Sequence, residues 1–166
     1  MKHAYERLPD AGGALRLHLN ENTAGCSPRV LEAMRALTRT DASLYPDYDE
    51  AQQACARALG VSMDQVALLN GLDEGIHAVS FAFLQRAEDG SRREAVIVLP
   101  AFDMYAACAE VASARIVEVM PRPDLSFPLG ELLGAVTPAT RVVFLASPNN
   151  PTGLAIPRAD IVRVAE

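Results

Sequence analysis

The sequence predicts an α/β domain in which a parallel sheet is covered on both faces by helices, and three observations carry that expectation. From residue 61 onward, short apolar runs alternate with segments of helical period, the pattern of strands joined by helical crossovers. The clearest runs, Ala95-Val-Ile-Val-Leu99 and Arg141-Val-Val-Phe-Leu-Ala-Ser147, are continuously apolar and β-branched, as buried parallel strands are. Both runs stop abruptly, one at Pro100 and the other at Pro148-Asn149-Asn150-Pro151-Thr152-Gly153, and the C-terminal strand ends of an open α/β sheet are where ligands sit.

Composition fits one well-buried domain or part of something larger. The 166 residues are 50% apolar and 22% charged, ordinary for a globular chain. Asp and Glu outnumber Lys and Arg by 21 to 15, giving a net charge of -6 with no basic stripe, which argues against a nucleic-acid partner. No run of 18 apolar residues exists and the first 20 positions lack the apolar core of a signal peptide, so a cytoplasmic location is expected. Cys26, Cys55 and Cys108 are widely spaced, and His3, His18 and His77 show no ligand spacing. Neither a disulfide framework nor a metal site is expected.

Residues 1–16 are polar and without period and read as an arm. Leu15-Arg-Leu-His-Leu19 alternates strictly, as a half-exposed strand does. Ser27-Pro28 forms an N-cap and N1 pair, and Val30, Leu31, Met34 and Leu37 give the stripe of a helix ending near Thr40. This divides the chain into an arm with its first helix, residues 1–40, and a sheet-bearing part, 41–166. A second helix, starting near Asp47 with a narrow small-residue face at Ala51, Ala54, Cys55, Ala58 and Leu59, is stopped by Gly60. Val66-Ala-Leu-Leu69 reads as a short buried strand, turned by Asn70-Gly71 into a helix running to about Arg86. A strand, a glycine turn and a helix start point free backbone N–H groups and the positive end of the helix dipole at an anion, which suits a phosphate.

After a charged loop from Glu88 to Glu94 comes the strand at 95–99, then a helix from Asp103 through Ser113 and a strand at Arg115-Ile-Val-Glu-Val-Met120. A helical piece spans Leu129–Val136, the strand from Arg141 follows, and Pro157 begins a last helix with the stripe Ile161, Val162 and Ala165. Pro151 fixes its own φ and keeps Asn150 out of the α region, so the Asn150 amide is held at one angle above the sheet edge.

Ser147-Pro-Asn-Asn-Pro-Thr-Gly153 after a hydrophobic strand resembles the Asn-Pro-Thr-Gly signature of fold-type I pyridoxal 5'-phosphate (PLP) aminotransferases. Asn20-Glu21-Asn22 and Gly71-Leu-Asp-Glu-Gly-Ile76 resemble segments of the histidinol-phosphate aminotransferase branch, with Thr23 and Cys26 where that branch usually has proline. The resemblance spans roughly residues 15–160 and implies the three-layer large domain of that fold, incomplete and preceded by an N-terminal arm. It also implies site residues. The N–H groups of Leu72 and Asp73 would hold the cofactor phosphate, and Asp73 and Glu74 would then have to turn their charges away from it. Phe102 would stack on the pyridine face, Asn150 would donate to the ring oxygen, and Tyr45 in Leu44-Tyr-Pro-Asp-Tyr48 would reach the phosphate in a partner subunit. Asn22 would touch substrate.

The implied activity is transamination between histidinol phosphate, a small-molecule amino donor, and the 2-oxo acid 2-oxoglutarate, in histidine biosynthesis, by a homodimer with PLP as its cofactor. Such chemistry needs a lysine amine. The chain contains one lysine, Lys2, in a polar N-terminus, so no catalytic residue is assigned and the chain is expected to be the inactive N-terminal half of a longer enzyme. The alternatives are another enzyme on the same scaffold, such as a threonine-phosphate decarboxylase or an aromatic aminotransferase, and a non-catalytic fragment that docks on a full-length paralogue through the Tyr45 loop.

Overall fold

The computed structural model describes residues 12–13 and 19–166. The alternating segment at 15–19 therefore lies, but for Leu19, outside the described residues, as does Lys2. The chain packs as two compact units that part between Leu68 and Leu69.

The unit from Leu69 to Glu166 holds a helix α4 (Gly71–Phe83), then β1 (Glu94–Val98), α5 (Asp103–Val111), β2 (Arg115–Val119), α6 (Leu129–Ala135), β3 (Thr140–Phe144) and α7 (Arg158–Ala165). The three strands form one parallel sheet in the order β2-β1-β3. The register pairs Ala95 with Ile116 and Val142, and Ile97 with Glu118 and Phe144. Alternation along the strands sorts their side chains to two faces. Ala95 and Ile97 of β1 pack with Ile116 and Phe144 against α4 and α5, through Ile76, Leu84, Tyr105, Cys108 and Ala109. Val96, with Val117 and Val143, packs on Leu132 and Ala135 of α6 and Val164 of α7. The result is three layers, and central β1, buried from Glu94 to Ile97, explains why its sequence is apolar without alternation.

One charged residue sits inside this apolar strand. Glu94 is only 3% exposed, and its carboxylate accepts from the Arg115 guanidinium on β2, from Thr137 Oγ1 at 2.7 Å and from Thr140 Oγ1 at 3.3 Å on β3. The first residues of all three strands are thus tied to one buried carboxylate, at the pole opposite the strand ends that carry the site.

The other unit, described from residue 19 to Leu68, contains α1 (Pro28–Ala36), α2 (Arg39–Ser43), α3 (Asp49–Leu59) and a 3-10 turn at Met63–Gln65. The first helix ends before Thr40 because Thr38 starts a new one: its Oγ1 accepts from Asp41 N–H while Asp41 accepts from Thr38 N–H. Gly60, at φ 70°, closes α3 in the left-handed conformation that glycine adopts without penalty. Val66–Leu69 forms no strand. Instead Gln52 Nε2 on α3 donates to the carbonyls of Met63 at 2.9 Å and Val66 at 2.6 Å, which fixes the segment to a helix without a neighbouring strand. Ala56 is the one buried residue of these three helices, and Met34, Leu37, Leu44 and Tyr48 are exposed. Among the described residues no helix is long and apolar enough to cross a membrane.

Candidate functional site

All but two of the sequence-derived site residues lie in the sheet unit, at the C-terminal ends of the strands or the N-terminus of α4. Gly71 opens α4 at φ 81°, and the Asn70 side chain makes no capping bond. The N–H groups of Leu72 and Asp73 have no hydrogen-bond partner among the described residues. These are orphan donors at the positive end of a 13-residue helix. The Glu74 carboxylate turns back toward the helix start to accept from Asn70 N–H, a capping contact that does not carry its charge away as phosphate binding would require, and the Asp73 charge is felt at Cys108 on α5. Burial, then that charge, push the Cys108 thiol above its ordinary value.

Phe102 is half-buried at the N-cap of α5, immediately beyond β1. Tyr105 meets it edge to face with ring centroids 5.9 Å apart, and Tyr105 stacks in turn on Phe144 of β3 at 4.7 Å and 13°. Burial raises the Tyr105 phenol above its ordinary value. Ile76, one turn into α4, Phe102, and Ala146 beyond β3 all belong to a single packed cluster. Part of α4 and the segments just beyond β1 and β3 therefore pack together on the α4–α5 side of the sheet.

Asn150 is half-buried in the turn that follows β3, and its amide makes no hydrogen bond among the described residues. The preceding Asn149 does the opposite. Its Nδ2 donates to Pro100 O at 3.0 Å and to Thr152 Oγ1 at 3.1 Å. Sequence reasoning passed over Asn149 because the resemblance pointed to its neighbour; the doubled asparagine was the available signal.

Asn22 and Tyr45 belong to the other unit. Both ends of the Asn22 amide are engaged in its own turn, Nδ2 donating to Gly25 O at 2.7 Å and Oδ1 accepting from Ala24 N–H at 3.2 Å. The Tyr45 side chain is fully exposed. A separate cavity of about 380 Å³ opens at the strand ends, lined among others by Pro100, Asn149, Arg122, Phe127 and Ile156; Leu72, Asp73, Phe102 and Asn150 do not line it. No group of three or more His, Cys, Asp or Glu residues able to hold a metal occurs among the described residues.

Comparison with known proteins agrees with this architecture. The profile of the family described as aminotransferase class I and II matches residues 13–166. A histidinol-phosphate aminotransferase of Methanocella arvoryzae is 35% identical over 158 residues, covering 94% of this chain and 42% of the relative. One from Anoxybacillus flavithermus is 38% identical over 142 residues, covering 84% and 36%. Among solved structures, the histidinol-phosphate aminotransferase of Sinorhizobium meliloti in complex with pyridoxal-5'-phosphate superposes with a TM-score of 0.76 at 28% identity, over 89% of this chain and 39% of that one. The N-succinyldiaminopimelate aminotransferase of Mycobacterium tuberculosis gives 0.70 at 25% identity, over 84% and 38%. The chain thus spans about two fifths of the length of these relatives, and over that span it belongs to the class I and II aminotransferase family.

Proposed function

We propose that this chain forms part of the pyridoxal 5'-phosphate cradle of an aminotransferase acting on histidinol phosphate with 2-oxoglutarate. What supports the reading is that three suitable groups stand at element ends of one unit: the N–H pair of Leu72 and Asp73 at the start of α4 and the Asn150 amide beyond β3, both without a hydrogen-bond partner among the described residues, and the Phe102 ring beyond β1. The donor set fits the group. A helix start accepts a phosphate, an aromatic ring accepts a flat heterocycle, and a free amide donates to a ring oxygenate.

PLP, when bound, supplies an electron sink for the carbanion left by proton loss. The chain's own residues bind and orient. Leu72 and Asp73 N–H groups would donate to the phosphate, Phe102 would cover one ring face, and Asn150 Nδ2 would donate to the ring oxygen. Tyr45 extends from an exposed loop where a second subunit of a homodimer can receive its hydroxyl. Lys2 is the one lysine in the sequence, so the 166-residue chain is expected to hold the cofactor without turning over substrate. The histidinol-phosphate assignment draws on the names of the most similar relatives and on Asn20-Glu21-Asn22.

Equilibrium dialysis tests the reading. The chain should retain PLP more strongly than pyridoxal, which lacks the phosphate, and Asn150→Ala should weaken retention about 3- to 10-fold, the worth of one hydrogen bond. Histidinol phosphate should tighten retention more than aspartate does. Equal binding of PLP and pyridoxal would overturn the phosphate assignment, and glutamate formation by the isolated chain would overturn the role given to the missing lysine.

A further inference from the structure

We infer that Asn149 is a positioning residue, whose side-chain amide sets the spacing between the Phe102 ring and the Asn150 amide; the inference rests on the proposed placement of the cofactor. The loop that carries Asn150 is closed on itself by short-range bonds. Asn149 N–H donates to Leu154 O at 2.8 Å, Gly153 N–H to Asn149 O at 2.7 Å, and Ile156 N–H to Ser147 Oγ at 3.0 Å. None of these reaches another strand end. The turn would keep its shape with any residue at position 149 able to supply those backbone groups.

What the side chain adds is a link across 49 positions of sequence. Asn149 Nδ2 donates one hydrogen to Thr152 Oγ1 inside the loop and the other to the Pro100 carbonyl at the end of β1. Among the described residues this is the one hydrogen bond between segments 147–156 and 99–103. Pro100 lies two residues before Phe102, and Asn149 one before Asn150. The two groups assigned to the ring's face and its oxygen are therefore each within two residues of a single contact. Tyr105 and Phe144 brace Phe102 through ring contacts, but those hold the ring against β3 and not against the loop beyond it. The amide is suited to the task because it offers two donors in one plane; a carboxylate of the same shape would set an acceptor against the Pro100 carbonyl.

Asn149→Asp is accordingly the discriminating variant, with Asn149→Ala as a second in case the first does not fold. Hydrogen–deuterium exchange of the wild-type chain and both variants, without cofactor, should show faster exchange at residues 101–105 in the variants and unchanged exchange in α6 and α7. Retention of PLP should weaken about tenfold in Asn149→Asp at pH 7.5. It should recover relative to wild type only as pH falls toward about 4 and below, through the ordinary aspartate range, where a protonated carboxyl can again donate to Pro100. Asn150→Ala should weaken retention while leaving exchange at 101–105 as in wild type. Exchange at 101–105 unchanged in both Asn149 variants would overturn the inference whatever PLP does. Failure of the wild-type chain to retain PLP would instead sink the proposed function, with the exchange comparison still deciding whether Asn149 couples the two loops.

Discussion

Replacing Glu94 by glutamine removes one charge from the base of the sheet while keeping size and one acceptor. In the native chain the carboxylate is 3% exposed and holds the starts of β1, β2 and β3 together through Arg115, Thr137 and Thr140. The Arg115 side chain is 61% exposed, so its attraction to Glu94 is partly screened and a glutamine would leave it hydrated, not stranded. The two threonine hydroxyls lose charge-assisted bonds but can still donate to the amide oxygen. The expected loss is therefore about 1–2 kcal/mol, well short of the ~3–5 kcal/mol of a fully buried pair that loses one partner.

The sign of the pH dependence follows from the same contacts. Hydrogen bonds from Thr137 first, then Arg115, lower the Glu94 pKa below its ordinary value of 4.5 against the opposing effect of burial. A folded-state pKa below the unfolded one contributes stability above about pH 4.5 that is lost as pH falls through the lowered value. Urea denaturation followed by circular dichroism should thus show Glu94→Gln less stable than wild type at pH 7, with the difference shrinking toward zero as pH falls below 4. A difference that is absent at pH 7, or equally large at pH 3.5, would refute this account of the sheet's base.

Leu132→Ala should cost about 2–5 kcal/mol in the same assay, because Leu132 is fully buried between α6 and the Val96 face of the sheet and its removal leaves a cavity. Mixing the chain with a full-length homologue and measuring co-elution should detect a complex that Tyr45→Ala weakens, if the exposed Tyr45 loop engages a second subunit; unchanged co-elution in the variant would place the contact elsewhere.

What the sequence disclosed was governed by range. The strand at β1 was legible because burial on both faces leaves a continuous apolar run, and the end of α3 because Gly60 supplies the left-handed residue a helix end needs. Glu94 was read as the end of a charged loop, since the partners that allow its burial stand 21 to 46 positions away. Val66–Leu69 has a strand's composition, but composition cannot supply a neighbouring strand, and Gln52 takes up its carbonyl instead. The site divided the same way. Phe102, Asn150 and the Leu72–Asp73 turn were proposed from motif resemblance, whereas the link from Asn149 to Pro100 joins two loops whose proximity only the fold creates.

The central claim is that one ligand spans the start of α4 and the ends of β1 and β3. Titrating the isotopically labelled chain with PLP and following amide and side-chain resonances by NMR tests it directly. The account predicts that the largest shifts fall on the backbone N–H of Leu72 and Asp73, on the Phe102 ring and on Asn150 Nδ2. Shifts confined instead to Arg122, Phe127 and Ile156, around the neighbouring cavity, would contradict it.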